Sequence, residues 1–186
     1  MKLQVVGLDP SMSNFGMVKG FLDLDEGTLT LTDRHIEVTK PNKADKKVVR
    51  KNSDDLNRAV ASYTALTKFL KGVDLVFVEI PVGSQSARAM ASYGMCIGVL
   101  SSITLPMIQV TPGEVKKAAT GKKTASKDEM ILWATDEYPE LDWYTKKQKG
   151  ETTFTGANEH VADAIGAIHA GILTQEFKQI LMLHSK

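Results

Sequence analysis

The chain has 186 residues (20.3 kDa), is 42% hydrophobic and 24% charged, and carries a formal net charge of +1. That balance suits one globular domain over 1–186 with a single core. The longest apolar stretch, around Met95 to Val110, is broken by Gly98, Ser101, Ser102, Thr104 and Pro106, and no charged, then apolar leader opens the chain, so neither a membrane span nor a secretory signal is expected. Cys96 is the only cysteine, which excludes an internal disulfide and a cysteine-built zinc site and points to a reducing, cytoplasm-like compartment.

Leu3 to Leu8 reads as a buried strand that runs into Asp9 and a Pro-Ser-Met-Ser-Asn-Phe-Gly turn. Phe15 to Leu24 and Thr28 to Val38 form a hairpin about Asp25-Glu26-Gly27, making the first three strands an antiparallel meander. Residues 39–52, basic and containing Pro41, read as a loop. Ser53 is then the expected N-cap of a helix whose apolar stripe is Leu56, Val60, Tyr63, Leu66 and Leu70, with Gly72 as its stop. Asp74 to Ile80 is a second buried strand, continuous rather than alternating, as for a strand covered on both faces. A helix rich in small residues follows over 84–102, then a short strand at Met107 to Val110, a helix opened by Thr111-Pro112, and another over Ser126 to Tyr138. Residues 139–157 look like a polar loop, and Asn158 is the expected cap of a last helix running towards Gln175. Three strands followed by alternating helix and strand predict an α/β domain with a mixed sheet.

Overall neutrality hides clumped cations. Lys40, Lys43, Lys46, Lys47, Arg50 and Lys51 form one run, Lys116, Lys117, Lys122, Lys123 and Lys127 a second, and Lys146, Lys147 and Lys149 a third. A single such run is usually a solvated face; three of them suit a polyanionic partner.

Asp9 and Glu79 stand at the C-terminal ends of two buried strands, where open α/β sheets bind ligands. Asp9 before a proline is also ordinary turn chemistry, but Glu79 at the end of a covered strand carries a desolvation cost that calls for a nearby cation. In NEHVADAIGAIHAG, Val161, Ile165, Ile168 and Ile172 make one helical stripe, and His160, Asp163, Ala167 and Ala170 lie on a different face. The small residues would let that helix approach the sheet closely enough for Asp163 to reach the strand ends. The competing reading is a solvated face on which Glu159 and Asp163 favour the helix N-terminus. Three carboxylates sharing a pocket require positive charge between them. An oxygen-rich set suits Mg²⁺, with Mn²⁺ also acceptable if His160 ligates, and two such ions ~4 Å apart serve in-line phosphodiester cleavage. His160 could equally position water or cap the helix.

Four segments, GLDPSMSNFG, VFVEIP, TPGEVKKAATGKKTASKDEM and NEHVADAIGAIHA, together make the sequence resemble the RuvC-type Holliday junction resolvases (crossover junction endodeoxyribonucleases) of the ribonuclease-H-like superfamily, including phage and viral members. The resemblance implies a five-stranded mixed sheet, three antiparallel strands then two parallel, flanked by helices. It implies Asp9, Glu79 and Asp163 as catalytic, metal-binding acids, with His160 where many members carry another Asp, and two Mg²⁺ ions per site. Lys116 and Lys127 match the two lysines that face the scissile DNA backbone, Lys127 close enough to act on transition-state charge; Lys117, Lys122 and Lys123 either widen the DNA-binding surface or are solvated charge. The implied substrates are four-way junctions and other branched DNA, cut by paired symmetric nicks. Two such nicks need a homodimer, for which the 84–102 helix, with Ala87, Ala91, Gly94 and Gly98 near one face, is the expected contact; those small residues could instead pack on the protein's own sheet. Bacterial members carry a stacking aromatic after the acidic strand, whereas this chain has Ile80-Pro81-Val82-Gly83, which argues for broader branched-DNA specificity. The expected location is the cytoplasm, of a bacterium or of the host if phage-encoded. The alternative reading is a non-cleaving junction-binding protein or an actin-like nucleotide-binding regulator. An actin-like ATPase would need a second, similar domain, which the sequence does not display, and a non-cleaving binder would be expected to lack one of the acids.

Overall fold

A computed structural model describes residues 1–42, 48–148 and 150–184; Lys43, Lys46, Lys47 and Lys149 of the basic runs lie outside them. The strands are β1 (Lys2–Asp9), β2 (Asn14–Asp23), β3 (Thr28–Val38), β4 (Leu75–Glu79) and β5 (Met107–Val110), and they form one sheet in the order β3-β2-β1-β4-β5. β1 pairs antiparallel with β2 and β2 with β3, while β1–β4 and β4–β5 are parallel. This is the expected meander followed by two parallel strands.

The helices are α1 (Val48–Phe69), α2 (Ala87–Leu100), α3 (Pro112–Thr120), α4 (Lys127–Glu137), α5 (Asn158–Gly171) and α6 (Gln175–His184). They divide the core in two. Val5, Leu75, Phe77, Ile108 and Val110 project from one side of the sheet onto Val161, Ile165 and Ile168 of α5, with Val115 of α3 and Met130 of α4 behind. Val6, Leu8, Met17, Val76 and Val78 project from the other side onto Leu66 and Phe69 of α1 and Val99 and Leu100 of α2. Strand alternation therefore sends odd-numbered residues of β1 and β4 towards α5 and even-numbered ones towards α1 and α2. Both α3 and α4 begin where expected, and each start is closed by a capping box, Thr111 with Glu114 and Ser126 with Glu129.

Four local expectations need correction. The first concerns α1, which is already helical at Val48, so Ser53 lies inside it, and the first half of its expected apolar stripe faces outward: Leu56, Val60 and Tyr63 are 64%, 53% and 46% exposed, whereas Leu66 is buried and Leu70 packs on the core as expected. Asp55, Arg58, Ser62 and Phe69 face inward beside Leu66. Hydrophobic periodicity misplaces the face because a buried arginine, satisfied by carbonyl and hydroxyl acceptors, occupies a core-facing position. Second, the supposed loop over 139–157 contains a hairpin, β6 (Thr145–Gln148) with β7 (Glu151–Phe154), turned at Gly150 with φ +88°. Asn158, the third case, does not cap α5. Its side chain is fully buried, accepting from the Tyr144 backbone N–H at 3.1 Å and donating to the Tyr144 carbonyl at 2.8 Å, which fastens the base of that hairpin to the first turn of α5. Last, the final helix ends at Gly171, and a separate helix, α6, follows it.

Candidate active site

Backbone register accounts for the first pair of acids. Leu8 of β1 lies opposite Val78 of β4 in parallel register, so Asp9 and Glu79 are the next residues on neighbouring strands. Both share the parity of Val5, Gly7, Leu75 and Phe77, and so both project onto the α5 side.

Glycine on the sheet brings α5 down to meet them. A Cβ on Gly7 would stand 2.0 Å from the Ala164 carbonyl oxygen, and one on Gly16, which pairs with Asp9, would stand 2.2 Å from the His160 carbonyl oxygen. Helix backbone thus rests on strand backbone, with no side chain between. The small residues expected to permit this lie on the helix; the sheet glycines are equally necessary, and nothing in their own sequence context distinguishes them. The turn after Asp9 is fixed from the other side. Arg58, 6% exposed, donates to the Met12 carbonyl at 3.0 Å, to Ser13 Oγ at 3.3 Å and to Thr39 Oγ1 at 3.0 Å, and pairs with Asp55, which Arg88 of α2 also holds at 2.6 Å.

His160 lies between two carboxylates. Its Nδ1 meets Asp9 Oδ2 at 2.8 Å and its Nε2 approaches Glu159 Oε1 at 3.4 Å. The same Glu159 oxygen accepts from Lys127 Nζ at 2.8 Å. Asp163, one turn further along α5, has a buried Oδ1 with no hydrogen-bond partner. Burial raises the Glu79 carboxyl to about 8, and the charges of Asp9 and Asp163 add to this while Lys116 opposes it. Burial and Asp9 raise Asp163 to about 7, against His160 and Lys116. Asp9 is also raised, by burial and by Glu159, although its bond to His160 opposes the shift. For His160, burial alone would lower the pKa, but the bond to Asp9 and the surrounding carboxylates outweigh it and the net shift is upward.

The expected acids and His160 therefore lie at one end of the sheet, close enough for their charges to act on one another, with Lys116 and Lys127 also within electrostatic reach. Glu159 joins them; its position next to His160 was the only signal available for it. Other basic residues have different neighbours. Lys122 pairs with Glu129 at 2.8 Å, Lys117 lines a cleft with Glu114, Ala170 and Leu173, and Lys123 acts on Glu114. Cys96 is buried, its thiol pushed up to about 11, an inert core residue as expected.

As the side chains stand, no three His, Cys, Asp or Glu groups among the described residues converge at metal-holding distance. The donor chemistry nevertheless fits a divalent cation, because an orphaned carboxylate oxygen and two acids raised by burial and by the charge of Asp9 are what a cation would relieve. The metal-free protein is expected to lose stability as pH rises from about 5 to about 8. Glu79 and Asp163 ionise near 4.5 and 3.8 ordinarily but near 8 and 7 when folded, so in that window the folded state binds more protons than the unfolded one, and raising pH favours unfolding. The raised pKa of His160 acts in the same direction. Melting curves with EDTA should show this decline, and Mg²⁺ should reverse it most strongly at the alkaline end. A flat EDTA profile would rule out buried, mutually repelling acids.

The sheet order and the covering helices define an α/β domain with a ribonuclease-H-like fold. Within that class the fold is the one seen in RuvC-type resolvases. Thermus thermophilus RuvC, solved with a Holliday junction substrate, superposes with a TM-score of 0.62 at 17% identity, covering 90% of this chain and 92% of that one. A fowlpox virus resolvase, solved with its substrate Holliday junction DNA, gives 0.52 at 14% identity, over 92% and 100% of the two chains. In sequence, the chain is 22% identical to the crossover junction endodeoxyribonuclease RuvC of Synechococcus sp. (strain CC9605) over 129 residues, 69% of this chain and 79% of that protein. No family model matches.

Proposed function

We propose that the protein is a metal-dependent endonuclease that resolves Holliday junctions, and other branched DNA, by paired symmetric phosphodiester cleavage. The observation that carries this is the meeting of Asp9, Glu79, Asp163 and His160 at the sheet end, in a fold shared with resolvases that bind four-way junctions. Asp9, Glu79, Asp163 and His160 are the groups that would hold the metal. Two Mg²⁺ or Mn²⁺ ions, when bound, supply charge stabilisation for the attacking and leaving oxygens of an in-line displacement. Lys116 and Lys127 neutralise scissile phosphate oxygens, and Lys117, Lys122 and Lys123 extend the basic surface across α3 and the start of α4.

The cleaving unit is a homodimer joined through α2. A Cβ placed on Gly94 or Gly98 would meet no atom within 4 Å, so these glycines do not pack on the protein's own sheet, and Met90 and Ile97 beside them are 47% and 43% exposed. That combination suits close approach by a second α2. Ile80-Pro81-Val82-Gly83 offers no aromatic to open a junction centre, which favours tolerance of flaps and forks. Among the described residues no helix is long and apolar enough to cross a membrane, and the proposed workplace is the cytoplasm of a bacterium or of a phage's host.

Synthetic four-way junction, flap and linear duplex should be compared with Mg²⁺ and with EDTA, alongside sedimentation of the protein. The expected result is paired symmetric nicks in the junction, slower cutting of the flap, no cutting with EDTA, and a dimer. Equal cleavage of linear duplex would overturn the junction assignment, and binding without any cleavage would favour the non-cleaving reading.

A further inference from the structure

Glu159 has no part in the expected ligand set, and its location in the first turn of α5 would ordinarily be explained by the helix dipole. The dipole does not explain its contacts. One oxygen, Oε1, receives Lys127 Nζ at 2.8 Å and faces His160 Nε2 at 3.4 Å, while the other ring nitrogen of that histidine is bound to Asp9. The two ends of the ion pair are unlike: the Glu159 side chain is 16% exposed and that of Lys127 is 77% exposed. An exposed cation from the first residue of α4 is thus paired with a largely covered carboxylate beside the acidic cluster.

We infer that Glu159 is a positioning residue that parks Lys127 beside the cluster and exchanges it for an incoming phosphate, while holding the His160 ring in its Asp9-bonded orientation. This rests on the nuclease reading above. The physical basis is competition. A DNA phosphate arriving at the strand ends offers Lys127 a second anion, and transfer from Glu159 to phosphate keeps a charge-assisted hydrogen bond throughout. Until then Glu159 prevents the lysine from folding onto Asp9 or Asp163, where it would occupy the place of a metal. Glu159 therefore weakens first contact with DNA and improves the geometry of the step that follows.

The test is Glu159→Gln, which keeps shape and removes charge, measured beside Lys127→Ala and the double variant. Junction affinity in EDTA should rise roughly threefold or more for Glu159→Gln, because a lysine is freed and a negative charge is removed near the phosphates. Single-turnover cleavage at saturating junction should fall roughly tenfold or more, the scale of losing one charge-assisted contact. In the Lys127→Ala background the affinity gain from Glu159→Gln should be much smaller, because only the removed negative charge still contributes, a non-additivity that a purely structural role would not produce. Unchanged affinity and rate in Glu159→Gln, or full additivity in the double variant, would overturn the inference while wild-type cleavage still upheld the nuclease reading. Absence of wild-type cleavage would instead refute that reading.

Discussion

Glu79→Gln is expected to abolish divalent-ion-dependent nicking and, in the same protein, to raise the melting temperature of the metal-free form near pH 8. The two effects have one cause. Glu79 ends a strand whose preceding residues, Leu75 to Val78, are all buried, and its carboxyl is raised to about 8 by burial and by Asp9 and Asp163. Ionising it in the metal-free protein therefore opposes folding, and a neutral amide of the same shape removes that opposition. A gain of about 1 to 2 kcal/mol, or roughly 2 to 8 °C for a chain of this size, is the expected scale. The carboxylate is also a required ligand in the proposed chemistry, so activity should fall by about a thousandfold or more. Asp9→Asn should lose activity equally but should not gain stability, because Asp9 accepts a 2.8 Å hydrogen bond from His160 that an amide oxygen accepts more weakly. Retained nicking in Glu79→Gln would remove Glu79 from the site, and equal stability changes in the two variants would show that His160 does not compensate Asp9. Thermal melts in EDTA and a nicking assay on one junction decide both points.

The second large effect belongs to residues with no side chain. Gly7→Ala and Gly16→Ala would each drive a methyl to within 2.2 Å or less of a backbone oxygen of α5, and neither the strand nor the helix backbone can yield as a flexible side chain would. Overpacking of this kind costs about 3 kcal/mol or more, a fall of roughly 6 to 12 °C in melting temperature. The two variants should differ in function. Gly7 lies under Ala164, in the middle of the crossing, whereas Gly16 lies under His160 itself, so Gly16→Ala at a temperature where it remains folded should cut more slowly than its stability explains. Gly113→Ala in α3 is the control, since its new methyl meets only the far end of Lys123 at 3.9 Å and a helical alanine is favoured over glycine. Melting temperatures of Gly7→Ala and Gly113→Ala that coincide would show that α5 does not rest on the sheet backbone.

Much of the fold is legible in local pattern. The meander of β1 to β3, the continuous apolar run of β4, and the starts of α3 and α4 lie within a few residues of where their chemistry places them. Legibility fails where a residue's environment comes from elsewhere in the chain. Leu56, Val60 and Tyr63 look like the buried face of α1, yet that face belongs to Asp55, Arg58 and Ser62, because Met12, Thr39 and Arg88, distant in sequence, satisfy the buried charges. The β6–β7 hairpin is polar except for Phe154 and so gives no period-two signal; what locates it is the buried Asn158 at its base.

The same division runs through the site. Carboxylates ending two buried strands, and an acid and a histidine on a helix of small residues, are enough on their own to name Asp9, Glu79, His160 and Asp163 as a set, since a strand end and a helix face are local geometries that a few neighbouring residues specify. That Gly7 and Gly16 let α5 touch the sheet, that Glu159 shares one oxygen between Lys127 and His160, and that two of the acids hold their protons near neutrality were decided only in three dimensions. Close approach, shared hydrogen bonds and electrostatic repulsion depend on separations between residues far apart in the chain, and those separations exist only once the sheet and its helices have packed.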